Sequence, residues 1–159
     1  MEKQTVRYLG GQLPIEAIVN PNIKKITISL KGEGLLLETP ESGEVDYMKP
    51  LISFYKKQAK KHIEKRLRHF QPQIGKKYKA FTIESNDKRW GSCNGAGELT
   101  FNWKLILFPE SAIDYVVVHE LCHLEHLNHD RSFWRLVGKY CPEYKQIMPM
   151  LGTEKTRDL

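Results

Sequence analysis

A His-Glu-x-x-His run at residues 119–123 confines this chain more tightly than any other feature of it. Two imidazoles four residues apart converge when the backbone between them is α-helical, because such positions stack with Cβ atoms about 5–6 Å apart. That separation lets two nitrogens meet one zinc ion at about 2.0–2.1 Å each. Glu120 lies one residue round the helix from His119, so its carboxylate can sit beside the ion as general base toward water activated there. The preceding Val116-Val117-Val118 is wholly apolar, which predicts a turn buried in the core. Polar groups carried into such surroundings need a shared partner to offset desolvation. Two histidines on a solvated helix face could share this spacing by chance, but the apolar turn argues against that, and the pattern predicts one bound Zn²⁺ with Glu120 catalytic.

A catalytic zinc normally takes three protein ligands and keeps one position open. Three residues compete to join His119 and His123. His129 lies ten residues after His119, and an unbroken helix would carry it about 15 Å along the axis. The chain must therefore bend back after His123. Metzincin peptidases place Gly at that bend; here the position is His126, and Asn128, which tolerates φ > 0, is expected to make the turn. His126 shares the helical face but sits about 10.5 Å of rise from His119, a strained ligand. Glu143, twenty residues after His123, falls in the range where gluzincin peptidases place a glutamate ligand. The order of preference is His129, then Glu143, then His126.

The rest of the chain reads as strands followed by helices, an α+β layout. Lys24 to Leu30 alternates with period two, and Lys31–Gly34 offers a turn into a partner strand over Leu35 to Pro40. Tyr8 to Val19 is expected to add a further strand. From Met48 the period changes: Leu51, Ile52, Tyr55, Ala59, Ile63, Leu67 and Phe70 recur at three and four residues. That predicts an amphipathic helix of about six turns, ended by Gln71-Pro72 and Gly75. Lys77 to Ser85 and Gly97 to Trp103 read as strands of one hairpin with a long irregular loop between them. Ser111 and Asp114 resemble an N-cap and its acidic partner, opening the helix that carries the histidines. A second helix from about Asp130 turns Phe133, Trp134, Leu136, Val137 and Tyr140 inward, and Cys141-Pro142 stops it.

Composition narrows the setting. A chain of 159 residues, 40% hydrophobic and 28% charged, can bury one core and is too apolar to be disordered. Its start lacks an apolar signal region, and no run approaches the roughly 18 residues of a membrane span. Cys93, Cys122 and Cys141 are odd in number and irregularly spaced, as in reduced cytoplasmic proteins. A cytoplasmic monomer without a membrane partner is expected. The formal charge of +6 is concentrated between Lys56 and Lys79, where ten basic residues face Glu64 alone. This block reads as a solvated helix face, with weak, salt-sensitive nucleic-acid binding as the alternative.

Arg89 to Cys93 (RWGSC), the Gly-rich turn after it, LTFNWKLILFP, and Val116 to Trp134 together resemble the YgjP-like metallopeptidase family, whose relatives include SprT-like and WLM-type zincins. The likeness covers nearly the whole chain. It implies a single metallopeptidase domain over 1–159, with an N-terminal β region at 1–46 and a zincin-like core at 47–159. It also implies zinc ligands at His119, His123 and His129 and Glu120 as catalytic base; it supplies no substrate, and a peptide or unfolded protein is the expectation from hydrolysis of a peptide bond by such a site. Asn128-His129 followed by Phe133 and Trp134 belongs to the same family pattern. Within RWGSC, Trp90 reads as packing, Gly91 as a tight turn and Cys93 as a small buried thiol. Arg89 reads either as an oxyanion contact or as half of an ion pair. By analogy with zincins, the strand at Thr100 to Trp103 is expected to pair with an extended substrate. A DNA-gated protease or adaptor, and a metal-dependent hydrolase of nucleotides, are the alternative readings.

Overall fold

The computed structural model describes residues 4–152. Its N-terminal third is a four-stranded sheet of β1 (Thr5–Tyr8), β2 (Gly11–Val19), β3 (Thr27–Lys31) and β4 (Gly34–Thr39), in the order β1-β2-β4-β3. The expected hairpin is the antiparallel pair β3–β4, closed over Gly32 and Glu33 with Lys31 opposite Gly34. Tyr8 to Val19 is not one strand. Leu9, at φ 47°, and Gly10, at φ 83°, turn the chain between β1 and β2. That turn also ties the sheet to the rest of the molecule: Leu9 N–H donates to the Ile106 carbonyl at 2.7 Å and Gly10 N–H to that of Leu107 at 3.1 Å. A side chain at Gly10 would strike Pro109.

Helix α1 (Met48–Ile74) follows, burying Leu51, Phe54, Tyr55, Ala59, Ile63, Leu67, Phe70 and Ile74. It runs on through Gln71-Pro72, the first part of the expected stop. Pro72 sits inside the last turn, where it gives up only the bond to the Arg68 carbonyl. Gly75, the second part of that stop, ends the helix in the left-handed conformation open to a residue without Cβ, donating to the Gln71 carbonyl at 2.9 Å. Tyr55 joins α1 to the first sheet by donating its hydroxyl to the Arg7 carbonyl at 2.6 Å.

A second sheet comprises β5 (Ala80–Glu84), β6 (Gly91–Cys93) and β7 (Glu98–Asn102), ordered β5-β7-β6. The expected hairpin of Lys77–Ser85 with Gly97–Trp103 does not form. β5 and β7 are parallel, and the antiparallel partner of β7 is β6, which lies inside the stretch read as irregular loop. Three residues are too few for periodicity to reveal a strand. The remaining loop is shaped by buried Asn102, whose Nδ2 donates to the Asn86 carbonyl at 2.5 Å and the Arg89 carbonyl at 3.1 Å. Because β7 is flanked on both sides, Thr100 to Trp103 has no free edge for a substrate; β6 has one.

After a 3-10 segment (Trp103–Leu107) come α2 (Glu110–Cys122), α3 (Arg131–Tyr140) and α4 (Tyr144–Ile147). Helix α2 packs on α1, β6 and α3, and its residues from Tyr115 to Cys122 are all buried. The expected cap is absent: Pro109 holds the N-cap position, and Asp114 instead accepts a two-pronged bond from Arg66 of α1, at 2.6 and 3.0 Å. One continuous core runs from Leu35 through α1 and the second sheet to Val137 and Leu151. No described helix is long and apolar enough to cross a membrane.

Candidate metal centre

Helix α2 ends at Cys122, with His123 as its C-cap in right-handed conformation. The chain then folds back through turn bonds from Leu124 N–H to the Leu121 carbonyl and from Glu125 and His126 N–H to that of Cys122. No described non-glycine residue except Leu9 has positive φ, so Asn128 does not make the bend through a left-handed conformation. Asp130 stops the excursion by capping α3, accepting from Phe133 N–H at 2.9 Å. The result brings His129 to the two helical histidines. Nε2 of His129 stands 3.1 Å from Nε2 of His119 and 2.9 Å from Nε2 of His123. Ligands on one tetrahedral zinc at 2.0–2.1 Å sit about 3.3 Å apart, so both separations from His129 are nearly at that spacing.

The hydrogen-bond partners set the chemistry of the nitrogens. His123 Nδ1 lies 2.9 Å from the His126 carbonyl, which can only accept, so Nδ1 carries the proton and Nε2 offers its lone pair. His119 Nδ1 lies 3.2 Å from the Tyr115 hydroxyl, one turn earlier on the same helix. Phe133 stacks on His123 with centroids 4.5 Å apart and meets His119 edge-on at 4.9 Å, while Trp134 stacks on His129 at 5.9 Å. These contacts fix the imidazole planes. His119 and His123 are buried and His129 is exposed, so the cluster opens to solvent on one side.

The other two candidates, Glu143 and His126, do not bring their side chains to this cluster. Glu143 is exposed at the start of α4, and its carbonyl accepts from Gln146 and Ile147 N–H. The His126 ring does not join the cluster; its carbonyl, as above, orients His123.

Glu120 is fully buried, and neither carboxylate oxygen has a hydrogen-bond partner among the described residues. Burial raises its pKa from 4.5 to about 8, partly opposed by the Arg89 guanidinium. Arg89 is itself held by Glu84 through two bonds of 3.0 and 3.3 Å, the ion-pair alternative of the sequence reading. Gly91 covers the carboxylate. A Cβ there would lie 3.1 Å from Glu120 Cγ, from its Oε2 and from the Thr100 carbonyl, so this strand can approach only without a side chain. Trp90 is a packing residue whose indole donates to the Leu151 carbonyl at 2.9 Å. Cys93 is only half-buried, whereas Cys122 is fully buried; desolvation pushes their thiols up to about 11 and about 12, so both stay protonated at neutral pH.

Three clustered imidazoles, one turning its Nε2 lone pair toward the cluster, and a buried carboxylate without a hydrogen-bond partner among the described residues form a donor set suited to a divalent cation. A family model described as "YgjP-like, metallopeptidase domain" matches residues 1–153. The chain belongs to the YgjP-like metallopeptidase family. Among solved structures, this YgjP-like domain is similar to the metallopeptidase zymogen abylysin of Pyrococcus abyssi, with 26% identity and a TM-score of 0.53, over 59% of this chain and 95% of that one. It also aligns with the metallopeptidase zymogen jannalysin of Methanocaldococcus jannaschii, at 19% identity and a TM-score of 0.47, over 56% of this chain and 96% of that one. No curated protein matches it. Membership makes the YgjP-like chain a metallopeptidase domain and accords with the mixed α+β fold.

The sequence reading missed three members of this YgjP-like site. Tyr115 was detectable, since it lies four residues before His119 on the same helical face. The Gly91 approach and the His126 carbonyl depend on tertiary placement and leave no local signal.

Proposed function

We propose that this chain hydrolyses peptide bonds with one zinc ion held by Nε2 of His119, His123 and His129, and with Glu120 as general base. The observation that carries the reading is that His129 Nε2 lies within 3.1 Å of Nε2 of both His119 and His123, at the end of the helix that buries Glu120. When bound there, zinc supplies Lewis acidity, polarising the scissile carbonyl and bringing the pKa of water to about 7.

The protein's own groups do the rest. The Tyr115 hydroxyl and the His126 carbonyl accept from the Nδ1 protons of His119 and His123, which keeps both Nε2 lone pairs turned inward. Positive charge at the triad favours ionised Glu120 against the desolvation that raises its pKa. The ionised carboxylate takes a proton from the attacking water and delivers it to the departing amine. An extended polypeptide aligns along the free edge of β6 by main-chain hydrogen bonds, above the Gly91–Glu120 contact. Unfolded protein is the substrate class that can present such a strand.

Glu120→Gln separates the roles. The variant should bind zinc as the parent does, while degradation of an unfolded polypeptide such as reduced casein falls roughly 10²–10⁴-fold. Undiminished turnover, or loss of zinc from this variant, contradicts the assignment.

A further inference from the structure

Away from the histidines, a groove of about 1070 Å³ runs between β3 and α1. Seven consecutive residues, Lys24 to Leu30, line one wall. The last four, Thr27 to Leu30, belong to β3; since successive side chains of a strand point to opposite faces, an unbroken lining run there means that the groove follows the strand's edge. Among the described residues β3 is the last strand of its sheet, so alternate amides along it face away from β4 with no described strand to pair with. The other wall is the α1 face carrying Lys49, Lys57 and Lys61. With Lys24 and Lys25 opposite, five ammonium groups border the groove against the single carboxylate of Asp46. Its lengths match: Lys49 to Lys61 spans about 18 Å of helix, and a five-residue strand spans about 17 Å.

We infer that this groove binds an extended acidic polypeptide segment, which adds to the first sheet as a fifth strand beside β3. Main-chain bonds to the open edge hold it, and its carboxylates meet the lysines. The groove is less suited to single-stranded nucleic acid, because its one aromatic lining residue, Phe54, is 7% exposed and offers no stacking platform. The inference goes beyond peptide hydrolysis and does not rest on it.

The test uses the full chain carrying Glu120→Gln, so that the probe is not cut. A fluorescein-labelled peptide of about ten alternating Glu and Thr residues, long enough to span the edge, is titrated by anisotropy. Saturable binding is expected, with slowed hydrogen exchange in residues 27–31. Joint Lys57→Glu and Lys61→Glu substitution, at exposed positions, should weaken binding roughly tenfold or more. A peptide of equal charge interrupted by prolines, which cannot pair as a strand, should weaken by a similar factor. Equal affinity for the proline-interrupted peptide, tighter binding of an oligo-dT of the same length, an unaffected lysine variant, or no binding at all would overturn the proposal. In that last case the lysines serve only to keep the edge strand from aggregating.

Discussion

Glu120 offers a quantitative test that needs no substrate. Its carboxyl is fully buried, lacks a hydrogen-bond partner among the described residues, and has its pKa raised to about 8. In metal-free protein below pH 4.5, the group is protonated both folded and unfolded and contributes no pH dependence. Between 4.5 and about 8 the unfolded chain releases the proton while the folded chain keeps it, so stability falls as pH rises. Above that range both states are ionised and the penalty is constant. At about 1.4 kcal/mol per pH unit, the full loss is about 4–5 kcal/mol. Denaturant unfolding of metal-free parent and Glu120→Gln, from pH 4 to 9, isolates this contribution as the pH-dependent part of their difference. The parent should lose ground steadily over that window and nowhere else. A difference that stays constant, or that favours the parent as pH rises, would refute the reasoning by placing an ionised, stabilised carboxylate in the folded protein.

Three further outcomes are expected. Gly91→Ala should destabilise the fold by about 1–3 kcal/mol through overpacking and impair peptidase activity while leaving zinc stoichiometry intact, because the new Cβ meets Glu120 rather than the histidines; thermal unfolding, metal analysis and a casein assay check this together. Tyr115→Phe removes the hydroxyl beside His119 Nδ1 and should lower zinc affinity about 10-fold or more, read by competition with a chromophoric chelator. Arg66→Ala removes the two-pronged bond that holds Asp114 between α1 and α2 and should cost about 1–3 kcal/mol in urea unfolding, with Asp114→Asn in the same chain recovering part of the loss.

The clustering of His119, His123 and His129 was legible in the sequence because its rules are local. Four residues on a helix, an apolar turn beforehand and a second apolar face beginning near Asp130 suffice to place His119, His123 and the start of α3. The path between them was not legible: the expected left-handed turn at Asn128 gives way to a series of tight turns with negative φ. Asp114 was misread for the opposite reason. Its spacing from Ser111 suited a cap, but the partner that claims it is Arg66, 48 residues away in sequence. The second sheet failed in topology rather than in content, since β5 and β7 lie where the alternation put them while β6, too short for a period, decides that they run parallel. Among the N-terminal strands, the β3–β4 hairpin followed from its turn, but the parallel pairing of β2 with β4 is a long-range choice that no short pattern encodes.

Metal content by elemental analysis, in the parent and in single alanine variants of the three histidines, tests the central claim most directly. One zinc per chain in the parent and in Glu120→Gln, with a sharp loss for His119→Ala, His123→Ala and His129→Ala alike, is the predicted result. A parent that takes up no divalent ion when supplied in excess, or a His129→Ala variant that keeps its full complement, would contradict it.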